Sequence, residues 1–276
     1  MDRSPHTRLI ALLGDPVEHS LSPVMQNAAF RAAGVDGVYL ALRCDDAALP
    51  GLLRGIARAG GAGNVTVPHK VAAAAILDHA TVAVERTGAC NTFWLEDGSV
   101  CGDNTDVAGF DAAVRDLVGS PAGARVLLLG AGGAARAVAL ALLDARADSI
   151  WIRNRSPEHA RLLQEALDPG RMCITFVDPE EPPGGDFDLV VNATSLGLDA
   201  GDARPVDLER LGRVGAVMDL VYAPGGTAWV RSARERGVRA ADGLGMLVAQ
   251  GAASFRHWWD RPAPVDAMRS ALEGAM

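Results

Sequence analysis

The sequence predicts an α/β protein built as two domains with a cleft between them. Three observations carry that expectation. Apolar runs of strand length alternate with longer helical patterns along the whole chain; a Gly-Ser-Pro-Ala-Gly break at 119–123 interrupts them; and the same alternation restarts beyond it. Repeated βα units of this length bury a parallel sheet between helices on both faces. Two such blocks on either side of a Gly/Pro break read as two domains.

Leu9–Leu13 is the first strand, because five consecutive apolar residues suit a strand buried on both faces. Pro23–Ala33 follows as a helix, with Ser22 as its N-cap and Pro23 in the first helical position. Val38–Leu42 reads as a strand, Ala47–Ala59 as a helix and Ala62–Val67 as a strand. Pro68 then opens an Ala-rich helix with Lys70 in its first turn. Cys90–Trp94 and Ser99–Gly102 flank the turn Glu96-Asp97-Gly98 and read as a hairpin. A helix over Val107–Leu117 closes the first block. In the second, Arg125–Leu129 is a buried strand, Ala134–Leu143 a helix and Ser149–Arg153 a strand. Further strands fall at Leu189–Asn192 and Ala216–Leu220, with amphipathic helices between them. The last long helix, Leu244–Trp258, is expected to cross back and pack on the first block.

Composition narrows the function classes. Hydrophobic residues make up 49% of the 276 and charged residues 22%, which fits packed domains and not a disordered chain. No apolar run approaches the ~20 residues of a membrane helix, and the N-terminal stretch lacks the apolar core and cleavage site of a signal peptide, so no membrane partner and a cytoplasmic location are expected. A net charge of −8 without a basic cluster argues against nucleic acid. Cys44, Cys90, Cys101 and Cys173 are scattered, with no Cys-x-x-Cys pair, and the six histidines are dispersed. Reduced thiols and no metal site are the expectation. A small molecule is the expected partner, bound by a monomer or a homodimer.

Strand Arg125–Leu129 runs into Gly130-Ala131-Gly132-Gly133-Ala134-Ala135 and then a helix. In this G-x-G-x-x-A pattern the first glycine makes the tight turn and the second lets a pyrophosphate approach the backbone. The small third residue allows close helix–sheet packing, and the helix N-terminus presents N–H groups. The second block therefore reads as a Rossmann-type dinucleotide-binding domain. At the end of the next strand stands Asn154-Arg155-Ser156, where NAD sites usually place a carboxylate for the ribose. Arg155 has the fork geometry and fixed charge to hold a 2′-phosphate, which favours NADP(H). Ser156, followed by Pro157, reads as a helix N-cap beside the same phosphate.

Of 26 basic residues, Lys70 is the only lysine. Coding bias toward arginine accounts for the other 25 but not for this exception, and arginine cannot stand in where a side chain must release a proton. A helix N-terminus disfavours positive charge, which suits a group that gives up a proton and recovers it. Asp103-Asn104-Thr105-Asp106 opens the helix before the break and offers either a cap or a carboxylate that orients the lysine. Asn91-Thr92 offers amide and hydroxyl groups to a polyhydroxylated substrate. His19-Ser20-Leu21-Ser22-Pro23 joins two hydroxyls to a helix N-terminus, a place for a carboxylate.

In order along nearly the whole chain, HSLSP around Ser20–Ser22, NVTVPHK at Asn64–Lys70, GACNT at Asn91, GDNTD ending at Asp106, GAGGAARA at Gly130, NRS at Asn154, NATSLGL at Asn192, DLVY at Tyr222 and ADGLGMLVAQ ending at Gln250 resemble the shikimate dehydrogenase family. The resemblance implies an N-terminal α/β substrate-binding domain of residues 1–106 with helices in 244–276, and an NADP-binding Rossmann domain of 107–243. It implies that Ser20 and Ser22 bind the substrate carboxylate, that Thr66, Asn91, Tyr222 and Gln250 contact its carboxylate or hydroxyls, and that Lys70 and Asp106 form a catalytic pair. Cofactor contacts are implied for Gly130, Ala131, Gly132, Gly133, Ala134, Asn154, Arg155, Ser156, His159, Thr194, Leu220 and Gly243. The implied reaction is reversible NADPH-dependent reduction of 3-dehydroshikimate to shikimate.

The chain departs from the family pattern at a few positions. His159 stands where many relatives carry a second arginine, Ser156 where threonine is usual, His69 where phenylalanine is common, Leu220 for a common methionine and Cys90 for a common valine. The competing readings are a quinate or aminoshikimate dehydrogenase, a nucleotide-sensing module that lost its chemistry, and a methylene-tetrahydrofolate dehydrogenase. Ser20 with Ser22 favours shikimate over quinate, retention of Lys70, Asp106 and Asn91 favours an active enzyme, and HSLSP and DNTD are not expected of the folate enzyme.

Overall fold

The computed structural model describes residues 4–179, 184–199 and 201–276. The chain forms two compact units, Met1–Gly109 with Leu247–Met276, and Phe110–Met246.

The first unit contains β1 (Arg8–Gly14), α1 (Ser22–Ala33), β2 (Gly37–Arg43), α2 (Leu49–Arg58), β3 (Ala62–Val65), α3 (Lys70–Ala74), β4 (His79–Ala80), α4 (Val82–Thr87), β5 (Thr92–Glu96) and β6 (Ser99–Asp103). Its sheet runs β2-β1-β3-β5-β6-β4. Every pairing is parallel except those of β5, which is antiparallel to both neighbours. The reversal follows from the two-residue turn Asp97-Gly98, whose φ values of 49° and 79° are those of the hairpin turn that matches strand twist. Central β1 is buried from Ile10 to Leu13, and Leu13 packs with Leu49 and Leu53 of α2 and with Phe93.

The second unit contains β7 (Arg125–Leu129), α6 (Gly133–Asp144), β8 (Ser149–Arg153), α7 (Pro157–Leu167), β9 (Ile174–Val177), β10 (Phe187–Asn192), β11 (Val214–Asp219), α8 (Ala228–Glu235) and β12 (Arg239–Ala241). All its described pairings are parallel, in the order β12-β11-β10-β7-β8-β9. Numbered within the unit, this is the doubly wound order 3-2-1-4-5-6, reversing between β7 and β10. Helix α5 (Asp106–Val118) begins in the first unit, and α9 (Leu244–Trp259) re-enters it from Leu247 before α10 (Val265–Glu273). There α9 packs on α1: Gln26 Nε2 donates to the Gly251 carbonyl at 3.0 Å, and a Cβ on Gly251 would meet Met25 Cε at 2.4 Å. Among the described residues no helix is long and apolar enough to cross a membrane.

The expected strands and helices form, with local corrections. Helix α1 starts at Ser22 with Leu21 as N-cap and no side-chain cap; the Ser22 amide instead donates to Ser20 Oγ at 3.2 Å. Strand β3 ends at Val65, and Pro68 lies in the turn before α3, closed by His69 N–H to the Thr66 carbonyl. Lys70 is therefore the first helical residue, with His69 as N-cap. The Ala-rich helix ends after five residues, because Asp78 ties the chain to β6. Its amide donates to the Val100 carbonyl and its carboxylate accepts the Val100 amide.

Candidate active site

Three adjoining segments of the first unit converge on Lys70. The turn after β3 delivers Lys70, the chain entering β5 delivers Asn91, and the start of α5 delivers Asp106. Lys70 Nζ donates to Asp106 Oδ2 at 2.5 Å, the side chains being 15% and 6% exposed. Asn91 Nδ2 donates to Asp106 Oδ1 at 2.8 Å, so both carboxylate oxygens are held. The Asn91 carbonyl oxygen in turn accepts the Thr105 amide at 2.8 Å and its hydroxyl at 3.1 Å. Asn91 Nδ2 also lies 3.5 Å from Gln250 Oε1.

Behind this pair runs a buried polar chain that motif reading left unassigned. Thr105 Oγ1 meets Ser254 Oγ at 3.0 Å; Asn64 Nδ2 donates to Ser254 Oγ at 3.0 Å and to the Asn91 main-chain carbonyl at 3.0 Å; Tyr39 OH donates to Asn64 Oδ1 at 2.8 Å. Such a network fixes side chains only when its members are satisfied, and it orients Asn91 from two directions. Ser254 sits four residues after Gln250 on α9, the spacing that puts two side chains on one helix face. That spacing was the available signal for Ser254.

Two glycines set the backbone around these groups. A Cβ on Gly14 would meet Thr66 Cγ2 at 2.3 Å and the Val67 carbonyl at 2.9 Å, so Thr66 keeps its place only against a glycine. A Cβ on Gly109 would meet Gln250 Cβ at 2.7 Å and its amide nitrogen at 3.0 Å. Ser20 is half-buried and Ser22 buried. Because Ser20 Oγ accepts the Ser22 amide, the Ser20 hydroxyl proton is left to donate outward. His69, 2% exposed, places Nδ1 2.8 Å from Asp46 Oδ1 and Nε2 2.8 Å from the Cys44 carbonyl. Its hydrogen bonds thus run to the β2–α2 loop and not to Lys70. Burial pushes the Cys90 thiol up to about 12, which keeps it protonated beside the pair.

The second unit carries the dinucleotide features. Gly130 has φ +110°, and a Cβ there would lie 2.8 Å from the Ala193 carbonyl. A Cβ on Gly132 would meet nothing within 4 Å, and Gly132 caps α6 with no side chain engaging the helix N–H groups. The turn is therefore an open backbone cradle of the kind a pyrophosphate fills. A cavity of about 510 Å³ is lined by Leu129, Arg153, Asn154, Arg155, Pro179, Thr194, Ser195, Leu196 and Pro205. Arg153, Asn154, Arg155 and Thr194 give this cavity hydrogen-bond donors that suit a phosphate-bearing ligand. Ser156 takes the N-cap position of α7, but its hydroxyl donates to Glu158 Oε2 at 3.3 Å and not to the helix. His159 is exposed and lies outside the cavity lining.

At the carboxyl ends of β10 and β11 a second cluster forms. Asn192 Oδ1 accepts the Thr194 hydroxyl at 2.6 Å and its Nδ2 donates to Asp219 Oδ1 at 2.8 Å. Asp219 Oδ2 accepts the Thr227 hydroxyl at 2.7 Å, and burial, outweighing these hydrogen bonds, pushes its carboxyl above the usual range. A Cβ on Gly243 would meet the Leu220 carbonyl at 2.1 Å, so Leu220 and Gly243 adjoin. Tyr222, half-buried, follows two residues after Leu220 in this second unit.

Comparison with known proteins agrees along the chain. Residues 12–93 match the model of the shikimate dehydrogenase substrate binding domain, residues 112–196 that of shikimate / quinate 5-dehydrogenase, and residues 243–273 that of the shikimate 5′-dehydrogenase C-terminal domain. A shikimate dehydrogenase (NADP(+)) of Rubrobacter xylanophilus is 44% identical over 273 residues, covering 97% of this chain and 96% of its own. A crystal structure of a shikimate dehydrogenase in complex with NADP+ superimposes with a TM-score of 0.88 at 32% identity, covering 99% of this chain and 97% of the other. The Thermus thermophilus shikimate 5-dehydrogenase, in complex with NADP(H) and shikimate, gives 0.85 at 38% identity, covering 98% and 100%.

Proposed function

The chain belongs to the shikimate dehydrogenase family, and from that premise we propose that it reduces 3-dehydroshikimate to shikimate reversibly with NADPH, using Lys70 and Asp106 to manage the proton. The observation that carries this reading is the Lys70–Asp106–Asn91 arrangement, a lone lysine held 2.5 Å from a carboxylate whose other oxygen is fixed.

NADPH, when bound, supplies the hydride to the ketone carbon. As charge develops on the ketone oxygen, Lys70 Nζ donates a proton to it. Asp106 Oδ2 holds the ammonium in place, and in the reverse direction the pair takes the proton back from the hydroxyl. Asn91 keeps Asp106 from rotating and, with Thr66, Gln250 and Tyr222, meets the substrate's polar groups. Ser20 and Ser22 receive the carboxylate at the N-terminus of α1.

The reading assigns substrate to residues 1–106 with 244–276 and dinucleotide to 107–243. Gly130, Ala131, Gly132, Gly133 and Ala134 hold the pyrophosphate. Asn154, Arg155 and Ser156 face the adenosine phosphate, and Thr194, Leu220 and Gly243 flank the nicotinamide. For His159, exposed and outside the cavity, we infer no direct contact. Four free cysteines support a reducing compartment, which fits a cytoplasmic enzyme, monomeric or homodimeric. The test is a four-way assay of shikimate or quinate with NADP+ or NAD+, following formation of the reduced nicotinamide. Shikimate with NADP+ is expected to turn over fastest; no turnover in any pair would remove the enzyme reading.

A further inference from the structure

His159, in the first turn of α7, is exposed and lies outside the cavity. The cavity at the end of β8 is lined by two arginines. Arg155 is one. The other is Arg153, the last residue of β8, which lines the same cavity as Asn154 and Arg155. Strand alternation sends Ile150 and Ile152 into the core and leaves Arg153 on the opposite face, half-buried. Its Nη2 donates to the Pro179 carbonyl at 2.6 Å, which fixes the fork at the cavity wall. Among the described residues that carbonyl is its one hydrogen-bond partner, and no carboxylate pairs with either Arg153 or Arg155.

Two arginines with no carboxylate partner among the described residues leave this cavity positive charge for an anion to meet. Resting on the NADP reading above, we propose that Arg153 is a specificity-determining residue that, with Arg155, clamps the cofactor's 2′-phosphate from the end of β8. The ligand chemistry is a phosphate monoester carrying between one and two negative charges at neutral pH. Arginine meets it with parallel N–H donors, and one donor on Pro179 leaves the remaining ones for phosphate oxygens. An NAD ribose offers only a hydroxyl there and gains little from a second cation.

The test is calorimetric titration of the protein, without substrate, using adenosine 2′,5′-bisphosphate and 5′-AMP as probes. Wild type is expected to prefer the bisphosphate. Arg153→Gln is expected to weaken the bisphosphate about tenfold, the loss of one charge-assisted hydrogen bond, while leaving 5′-AMP within about twofold. Arg153→Lys is expected to fall between, and His159→Ala to match wild type on both probes. In the assay, Arg153→Gln is expected to raise KM for NADP+ and leave KM for NAD+ unchanged. Unchanged bisphosphate affinity in Arg153→Gln overturns the assignment while the NADP reading stands. Equal weakening of both probes also overturns it, because Arg153 would then act only through Pro179. Wild-type indifference to the 2′-phosphate overturns the assignment and the NADP reading together.

Discussion

Asn91 Nδ2 sits 2.8 Å from Asp106 Oδ1, on the side of the carboxylate away from the oxygen that meets Lys70. Asp106 is thereby held as a bridge with one oxygen for positioning and one for the cation. Replacing the carboxylate by the isosteric amide keeps the volume and removes the charge. Asp106→Asn is expected to lower kcat about a hundredfold or more, in the range of a lost general acid–base partner. The steady-state rates of shikimate oxidation check it, with circular dichroism confirming the fold.

Gly109 of α5 lies against α9 at the site: a Cβ on it would sit 2.7 Å from Gln250 Cβ. A methyl group there must displace Gln250. Gly109→Ala is expected to raise KM for shikimate about tenfold with a smaller change in kcat. The overpacking is expected to cost about 1–3 kcal/mol of stability. Substrate-saturation curves and a urea melt read the two effects separately.

Asp103 precedes the site on β6. Burial alone pushes its carboxyl up, but hydrogen bonds from His257, the Thr81 hydroxyl and the Asn104 amide outweigh burial and hold it below the usual carboxylate range. A depressed folded value means that stability is fully present above the unfolded value of about 4 and is lost as pH falls through the folded one. Urea unfolding between pH 6 and pH 3 is expected to show wild type losing more stability than Asp103→Asn. Parallel losses would show that other carboxylates dominate.

Much of the fold was legible because its signals are local. Arg125–Leu129 and Ser149–Arg153 form with the expected bounds, since each is a run of strand formers between turn residues. The glycine turn, the hairpin at Asp97-Gly98 and the return of α9 were equally readable. What escaped depends on contacts distant in sequence. The Ala-rich segment after Pro68 has helix propensity throughout, yet Asp78 breaks it through β6. Ser22 looks like a cap, but the helix starts at it and Ser20 takes its amide. At the site, Lys70, Asp106 and Asn91 stood out by type and motif. Thr105 and Asn64 lie inside the motifs without an assigned role and Ser254 and Tyr39 outside them, because their part appears only when four segments meet. The resemblance implies a cofactor contact for His159, which is absent from the cavity lining, whereas Arg153, a strand residue without a motif, lines it.

The central claim is that the single lysine carries the proton. Arginine at position 70 would keep the charge and could still pair with Asp106, but it does not release a proton at working pH. The most direct measurement is kcat of Lys70→Arg for shikimate oxidation with NADP+, beside its KM for both substrates. The account predicts a fall of about a hundredfold or more in kcat with the NADP+ KM near wild type. A Lys70→Arg variant that turns over at close to the wild-type rate would contradict it.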